Sequence, residues 1–249
     1  MSVSPDFVEK KSIPEGLRIL CGLPDVGLVG SIAISYITSN LKLSELAFMN
    51  LNLLPPVIVL EKGLPHSPVR VFGNDEFLAL SSEIPIPTNS LQSVMTTILD
   101  WIKQKRTKEA IILGGIPVPN RQELQEPRIF GCASDEASIK TLSEYDVELM
   151  EQGFLVGPQA LILNFCAQNK IPAIGLLAEA FYNYPDPEAA AVVIKKINQI
   201  IRTQIDVTQL LKQGEEVRLS MRDMMKRTQT ELTNMNKSQE FDTPRPYIA

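Results

Sequence analysis

Short apolar runs alternate with longer amphipathic stretches along the first two hundred residues of the chain. Leu17 to Cys21, Glu109 to Leu113 and Ile171 to Ala178 are continuous apolar runs bounded by Gly, Pro or charged residues, the pattern of strands buried on both faces. Gly114-Gly115 closes the second run and Glu179 the third. Ala47 to Leu53 and Pro56 to Leu60 read as strands in an irregular or edge pairing, because Pro55-Pro56 interrupts them. Val69 to Phe72 and Phe77 to Leu80, separated by Asn74-Asp75, carry the signature of a hairpin. Arg128 to Ala133 is a further strand, after a polar, proline-punctuated loop from Pro117 to Arg128.

Between these lie the helical patterns. Leu91, Val94, Met95, Ile98, Leu99 and Ile102 recur at steps of three and four, which predicts an amphipathic helix over Ser90 to Lys105. A first helix ends near Asn40, a short one covers Ser138 to Glu144, and an apolar one covers Pro158 to Asn169. Asp186-Pro187-Glu188 opens another that runs to about Arg202, with Pro in its tolerated first turn and acids at the positive helix end. Strands alternating with helices give an α/β sheet, mixed but largely parallel, with helices on both faces and an antiparallel hairpin inserted. This core spans residues 1–204. A separate amphipathic extension follows over 205–232, where Val207, Leu210, Leu211, Val217, Met221, Met224 and Met225 share one stripe at heptad-like spacing. Residues 233–249 have the composition of a flexible tail.

Composition narrows the function classes. With 44% hydrophobic residues the chain can build a proper core, and a net charge of −5 argues against a general nucleic-acid or membrane surface. Nothing nears the roughly 20 apolar residues of a membrane span. Cys21, Cys132 and Cys166 are odd in number and far apart, as buried thiols in a reducing, cytoplasmic setting would be. The lone His66 sits in the proline-flanked loop Gly63 to Pro68, with no second His and no Cys at ligand spacing, so the sequence implies no metal site. No cofactor motif is present.

The candidate chemistry gathers at the glycine-studded turn Gly22-Leu-Pro-Asp25-Val-Gly27-Leu-Val-Gly30. Glycines at 22, 27 and 30 let a strand turn sharply into a helix that packs close to the sheet. The spacing is neither that of a dinucleotide site nor that of a phosphate-binding loop, since no Lys precedes Ser31 and Asp25 places negative charge where an anion would sit. Close packing is therefore the leading reading, with a small ligand at Gly22, Asp25, Gly27, Gly30, Gly114, Gly115 and Glu179 as the alternative. Ligands of open α/β sheets bind beyond the carboxyl ends of the strands, where Asp25 and Glu179 would form an acid–base pair if they converge. Asp25 stands just ahead of a helix, and capping is the commoner use of such a residue. Arg121 and Arg128 are the nearby cations that an anion would need.

Five pieces taken in order carry a resemblance: Pro24 to Ala33, Pro55-Pro56, Leu113-Gly-Gly115, Gly153 to Gly157, and Pro185-Asp-Pro-Glu-Ala189 following Leu177-Ala-Glu179. The set resembles the archaeal branch of the proteasome assembly chaperone family over about residues 13 to 230. The resemblance implies a three-layer α/β/α sandwich like that of nucleoside phosphorylases, no established catalysis and no catalytic residue. It also implies homo-oligomers that bind partners such as proteasome α subunits. Some relatives end in a hydrophobic residue, a penultimate Tyr and any last residue. Here Tyr247 is third from the end and Ile248 is penultimate, so the docking register is shifted by one. Partner contacts are expected from Met221, Met224, Met225, Tyr247, Ile248 and Ala249. The contrasting reading is an enzyme acting on a small nucleoside or phosphate-containing substrate through Asp25 or Glu179.

Overall fold

The computed structural model describes residues 7–50, 56–124, 126–212 and 222–235. The first strand, β1 (Phe7–Glu9), is short; β2 (Arg18–Gly22) leads through a 3-10 turn (Val26–Leu28) into α1 (Val29–Asn40). Strands β3 (Ser44–Met49), β4 (Val59–Glu61), β5 (Leu64–His66), β6 (Val69–Gly73) and β7 (Phe77–Ser82) follow, then α2 (Leu91–Gln104), β8 (Glu109–Pro117) and β9 (Ile129–Ala133). The chain continues with α3 (Glu136–Glu144), β10 (Glu148–Leu149), α4 (Pro158–Asn169), β11 (Ala173–Ala180), α5 (Pro187–Ile201), α6 (Thr208–Lys212) and α7 (Arg222–Asn234).

Nine of these strands form one sheet in the order β1-β3-β6-β7-β2-β8-β11-β9-β10. Its centre, β7-β2-β8-β11, is parallel, whereas β1, β3 and β6 on one side and β9 on the other run antiparallel to their inner neighbours. The parallel strands are the continuous apolar runs; β11 is buried at all eight positions, as a strand covered on both faces must be. Two apolar cores result. Helices α1, α3 and α5 pack on one face with Leu20, Leu113 and Leu176, and α2 and α4 on the other with Cys21, Ile112 and Ala173. The architecture is the three-layer sandwich that the resemblance implied, with its C-terminal helices added.

Several local expectations are revised. The expected strand from Pro56 starts at Val59 and pairs with Leu64–His66 in a small separate sheet, where a loop was read. The reason is local: Lys62 (φ 52°) and Gly63 (φ 80°) are both left-handed, the backbone of a two-residue hairpin turn. The strand expected over Ala47 to Leu53 ends at Met49, and its positions 51–53 lie outside the described residues. Gly114-Gly115 does not close β8. Both glycines lie within the strand, opposite Leu177 and Ala178, and Glu179 likewise lies inside β11, opposite Ile116.

The three cysteines form no disulfide with one another, and Cys21 and Cys166 are buried. Burial pushes the Cys166 thiol up to about 12 and moves that of Cys21 upward as well, so neither forms the reactive thiolate near neutral pH. Ellman's reagent at pH 8 is therefore expected to titrate at most Cys132 in the native chain and all three thiols in denaturant. Rapid native modification of two thiols would contradict the burial of Cys21 and Cys166.

Candidate functional site

The glycine turn brings most of the sequence-predicted residues together, and it does so by contact between backbones. A Cβ at Gly22 would collide with the Gly30 carbonyl and with Ile34, and one at Gly30 with the carbonyl oxygen of Leu113. One at Gly115 would lie 2.5 Å from the Val26 oxygen. Helix α1 therefore rests directly on β2 and β8, the close approach that glycine in a strand commonly marks. Gly27 (φ 60°) has a second requirement, because it is left-handed and faces Ala180 and Asp186. Leu28 follows at φ 52°, an unfavourable conformation for a branched side chain, held here by full burial.

Asp25 does not cap. Its backbone carbonyl accepts from the Leu28 N–H at 2.9 Å, but its carboxylate makes no bond to the turn, and α1 begins only at Val29. The two left-handed residues displace the helix start, so the carboxylate points elsewhere. Its Oδ2 accepts from Nε2 of Gln159, the second residue of α4, at 2.7 Å, and lies beside Gly114. Glu179 has a different partner: Arg128 donates to it from its backbone N–H at 2.9 Å and from Nη2 at 2.8 Å. Asp25 and Glu179 are thus engaged separately by Gln159 and Arg128.

Arg121 also stays within the protein. Only 2% exposed, it forms a fork with Asp186, Nε to Oδ2 at 2.8 Å and Nη2 to Oδ1 at 3.0 Å, and Nη2 reaches Glu188 at 2.8 Å. Asp186 simultaneously accepts from the backbone N–H groups of Phe181 and Ala189, the latter capping α5, while its own N–H donates to the Gly27 carbonyl at 2.8 Å. The loop after β8, the exit of β11, the start of α5 and the glycine turn are joined at one buried ion pair. Capping by Asp186 was legible in Asp-Pro-Glu; its pairing with Arg121 was not.

Helix α7 lies over the same end of the sheet. Glu231 accepts from the N–H and hydroxyl of Thr88, beyond β7. Gln229 donates to Asn183, beyond β11, at 2.7 Å. Leu232 is buried in the main core, and Met224 packs against that core half-buried. The crevice beyond the parallel strands, where open α/β sheets bind ligands, is here crossed by the chain's own helix. Of the expected partner residues, Met221, Tyr247, Ile248 and Ala249 lie outside the described residues, as does the Met225 side chain.

Sequence reasoning missed the β4–β5 hairpin. Leu60 and Leu64, on its two strands, are 67% and 63% exposed, and Ile58, just ahead of β4, is 62% exposed. The turn pair Lys62-Gly63 was the available signal. The adjoining cleft, about 370 Å³, is lined by Val57, Ile84, Pro85 and Pro87 together with Arg227, Thr230 and Glu231 of α7.

Residues 19–225 match the PAC2 family. The chain belongs to that family. This PAC2 chain is 30% identical over 238 residues to an uncharacterized protein of Methanocaldococcus jannaschii, the match covering 95% of this chain and 96% of the other. It is similar in structure to Pyrococcus furiosus PbaA, described as an archaeal homolog of proteasome-assembly chaperone, with a TM-score of 0.84 and 23% identity across 90% of this chain and 98% of that one. P. furiosus PbaB, described as an archaeal proteasome activator, gives a TM-score of 0.74 at 22% identity, covering 88% and 98% of the two chains. At these identities the structural likenesses establish the fold of the PAC2 chain.

Proposed function

We propose that this PAC2 chain is a non-enzymatic interaction protein of the cytoplasm, a homo-oligomer that binds proteins of the proteasome system, α subunits first among them. The observation that carries this reading is the exposed apolar hairpin. Isolated two-stranded hairpins are marginal in water, and contiguous exposed apolar side chains mark interaction surfaces. The chemistry at the strand ends supports the same side of the choice, because Arg121 and Arg128, the cations a phosphate-handling enzyme would use, are both bound to carboxylates. The likeness to structures described as a proteasome-assembly chaperone homolog and a proteasome activator supports that class of partner.

The test is a pull-down of purified proteasome α subunits with three forms: the full chain, a truncation after Met235, and the Leu60→Asp/Leu64→Asp double variant. Loss of an apolar anchor of interface hot-spot size weakens binding at least about ten-fold. Such a loss in the double variant assigns the contact to the hairpin, and loss only on truncation assigns it to the tail with Tyr247, Ile248 and Ala249. No binding by the full chain overturns the proteasome reading, and sedimentation as a monomer overturns the oligomer.

A further inference from the structure

Helices α2 and α4 pack side by side over one face of the sheet, and their outer sides meet solvent. Surface helices ordinarily carry their charges on that side. These two do not. Helix α4 (12 residues) has no charged residue, and none occurs from Gln152 to Asn169. Helix α2 (14 residues) has only Asp100 and Lys103, both toward its C-terminal end. Across the sheet, α3 carries Glu136, Lys140 and Glu144 within 9 residues, and the chain as a whole is 21% charged. Ahead of Asp100 the exposed positions of α2 are Gln92, Ser93 and Thr96, and those of α4 are Asn164, Ala167 and Gln168. Phe154, 63% exposed, stands just ahead of α4, and Leu161 and Leu163 are only half-buried.

A face of this kind tolerates being covered. Charge is depleted at the centre of protein interfaces, because a charge removed from water must be paired there. Several of the polar groups on this face already have partners within their own helix. The Thr96 and Thr97 hydroxyls donate to the carbonyls of Gln92 at 2.8 Å and Ser93 at 3.2 Å, and the Ser93 hydroxyl donates to that of Ser90 at 3.0 Å. Burying a hydroxyl that keeps its hydrogen bond costs little. The composition also selects the occupant. At a net charge of −5 two copies repel one another at a distance, and contact about a twofold axis sets one patch against itself. A charged patch would then meet its like. The amides of Gln92, Asn164 and Gln168 both donate and accept, so they are complementary to themselves. A partner recruited by its charge would need opposite charge here, and ahead of Asp100 the layer has none.

We propose that the α2–α4 face is the self-association seam of this chain, where two copies meet through these helices about a twofold axis. The inference rests on the homo-oligomer reading above and leaves the β4–β5 hairpin free for other partners. The test is sedimentation velocity over a concentration series, with the full chain as parent. It compares Thr96→Glu/Ala167→Glu, Thr96→Lys/Ala167→Lys and, as a control, Ile139→Glu on α3, a position 39% exposed on the opposite layer. Like charges set against each other are expected to weaken self-association about a hundred-fold in each double variant. The control is expected to associate as the parent does. An equimolar mixture of the Glu and Lys forms is expected to re-associate, which chains that had merely misfolded would not do. A monomeric parent overturns the homo-oligomer reading and the seam with it. Where the parent is an oligomer, the seam alone is overturned if both double variants associate as the parent does, if Ile139→Glu dissociates equally, or if the mixed Glu and Lys forms stay apart.

Discussion

Arg121→Ala is expected to lower the free energy of unfolding by about 3–5 kcal/mol, the cost of leaving a buried charge without its partner. Asp186 would keep the N–H groups of Phe181 and Ala189 but lose the guanidinium fork that neutralises it. Arg121→Lys should restore only part of the loss, because an ammonium cannot make two parallel bonds to one carboxylate. Urea unfolding followed by fluorescence of Trp101, the single tryptophan and a buried one, measures both variants. The effect should reach beyond one contact, since the ion pair joins the loop after β8 to the start of α5 and, through Asp186, to Gly27. A loss under about 1 kcal/mol, the scale of an exposed pair, would mean that Arg121 is not buried against Asp186 in solution.

Gly30→Ala should be nearly as damaging. Alanine favours a helix over glycine by roughly 1 kcal/mol, so a purely local argument predicts stabilisation. Against this stands the Leu113 carbonyl, a backbone atom of a central strand that cannot rotate away. Overpacking of this kind costs about 1–3 kcal/mol, with the upper end expected where nothing flexible can yield, and helix α1 would have to lift from the sheet. Gly16→Ala is the control: φ there is 75° with nothing within 4 Å of a Cβ, so only the conformational cost of about 1 kcal/mol applies. If Gly30→Ala proved as stable as the parent, α1 could not lie in direct backbone contact with β8.

The candidate site was legible where it depended on neighbours in sequence. The spacing of glycines at 22, 27 and 30 announced a tight strand–turn–helix, and the packing reading of that turn agrees with the backbone contacts found. Gly114 and Gly115 were misplaced at a strand end because glycine usually interrupts strands; here it continues one, giving α1 and the 3-10 turn room to approach. Asp25 was read as a cap from its position ahead of a helix. Two left-handed residues, invisible in a pattern of polar and apolar letters, moved the helix start and freed its carboxylate to meet Gln159.

By itself, then, the sequence determined the alternation of strands and helices, the two-faced burial of the central strands, the close turn after β2 and the amphipathic character of the C-terminal stretch. Each follows from local periodicity and from backbone preferences of Gly and Pro, which act within a few residues. Only the tertiary structure decided that Arg121 meets Asp186, 65 residues on, and that Asp25 meets Gln159, 134 residues on. It also decided that α7 crosses the strand ends and that an apolar hairpin is left uncovered. Those outcomes depend on which surfaces the sheet order brings together, and a carboxylate's neighbours in space are fixed by that order rather than by its neighbours along the chain.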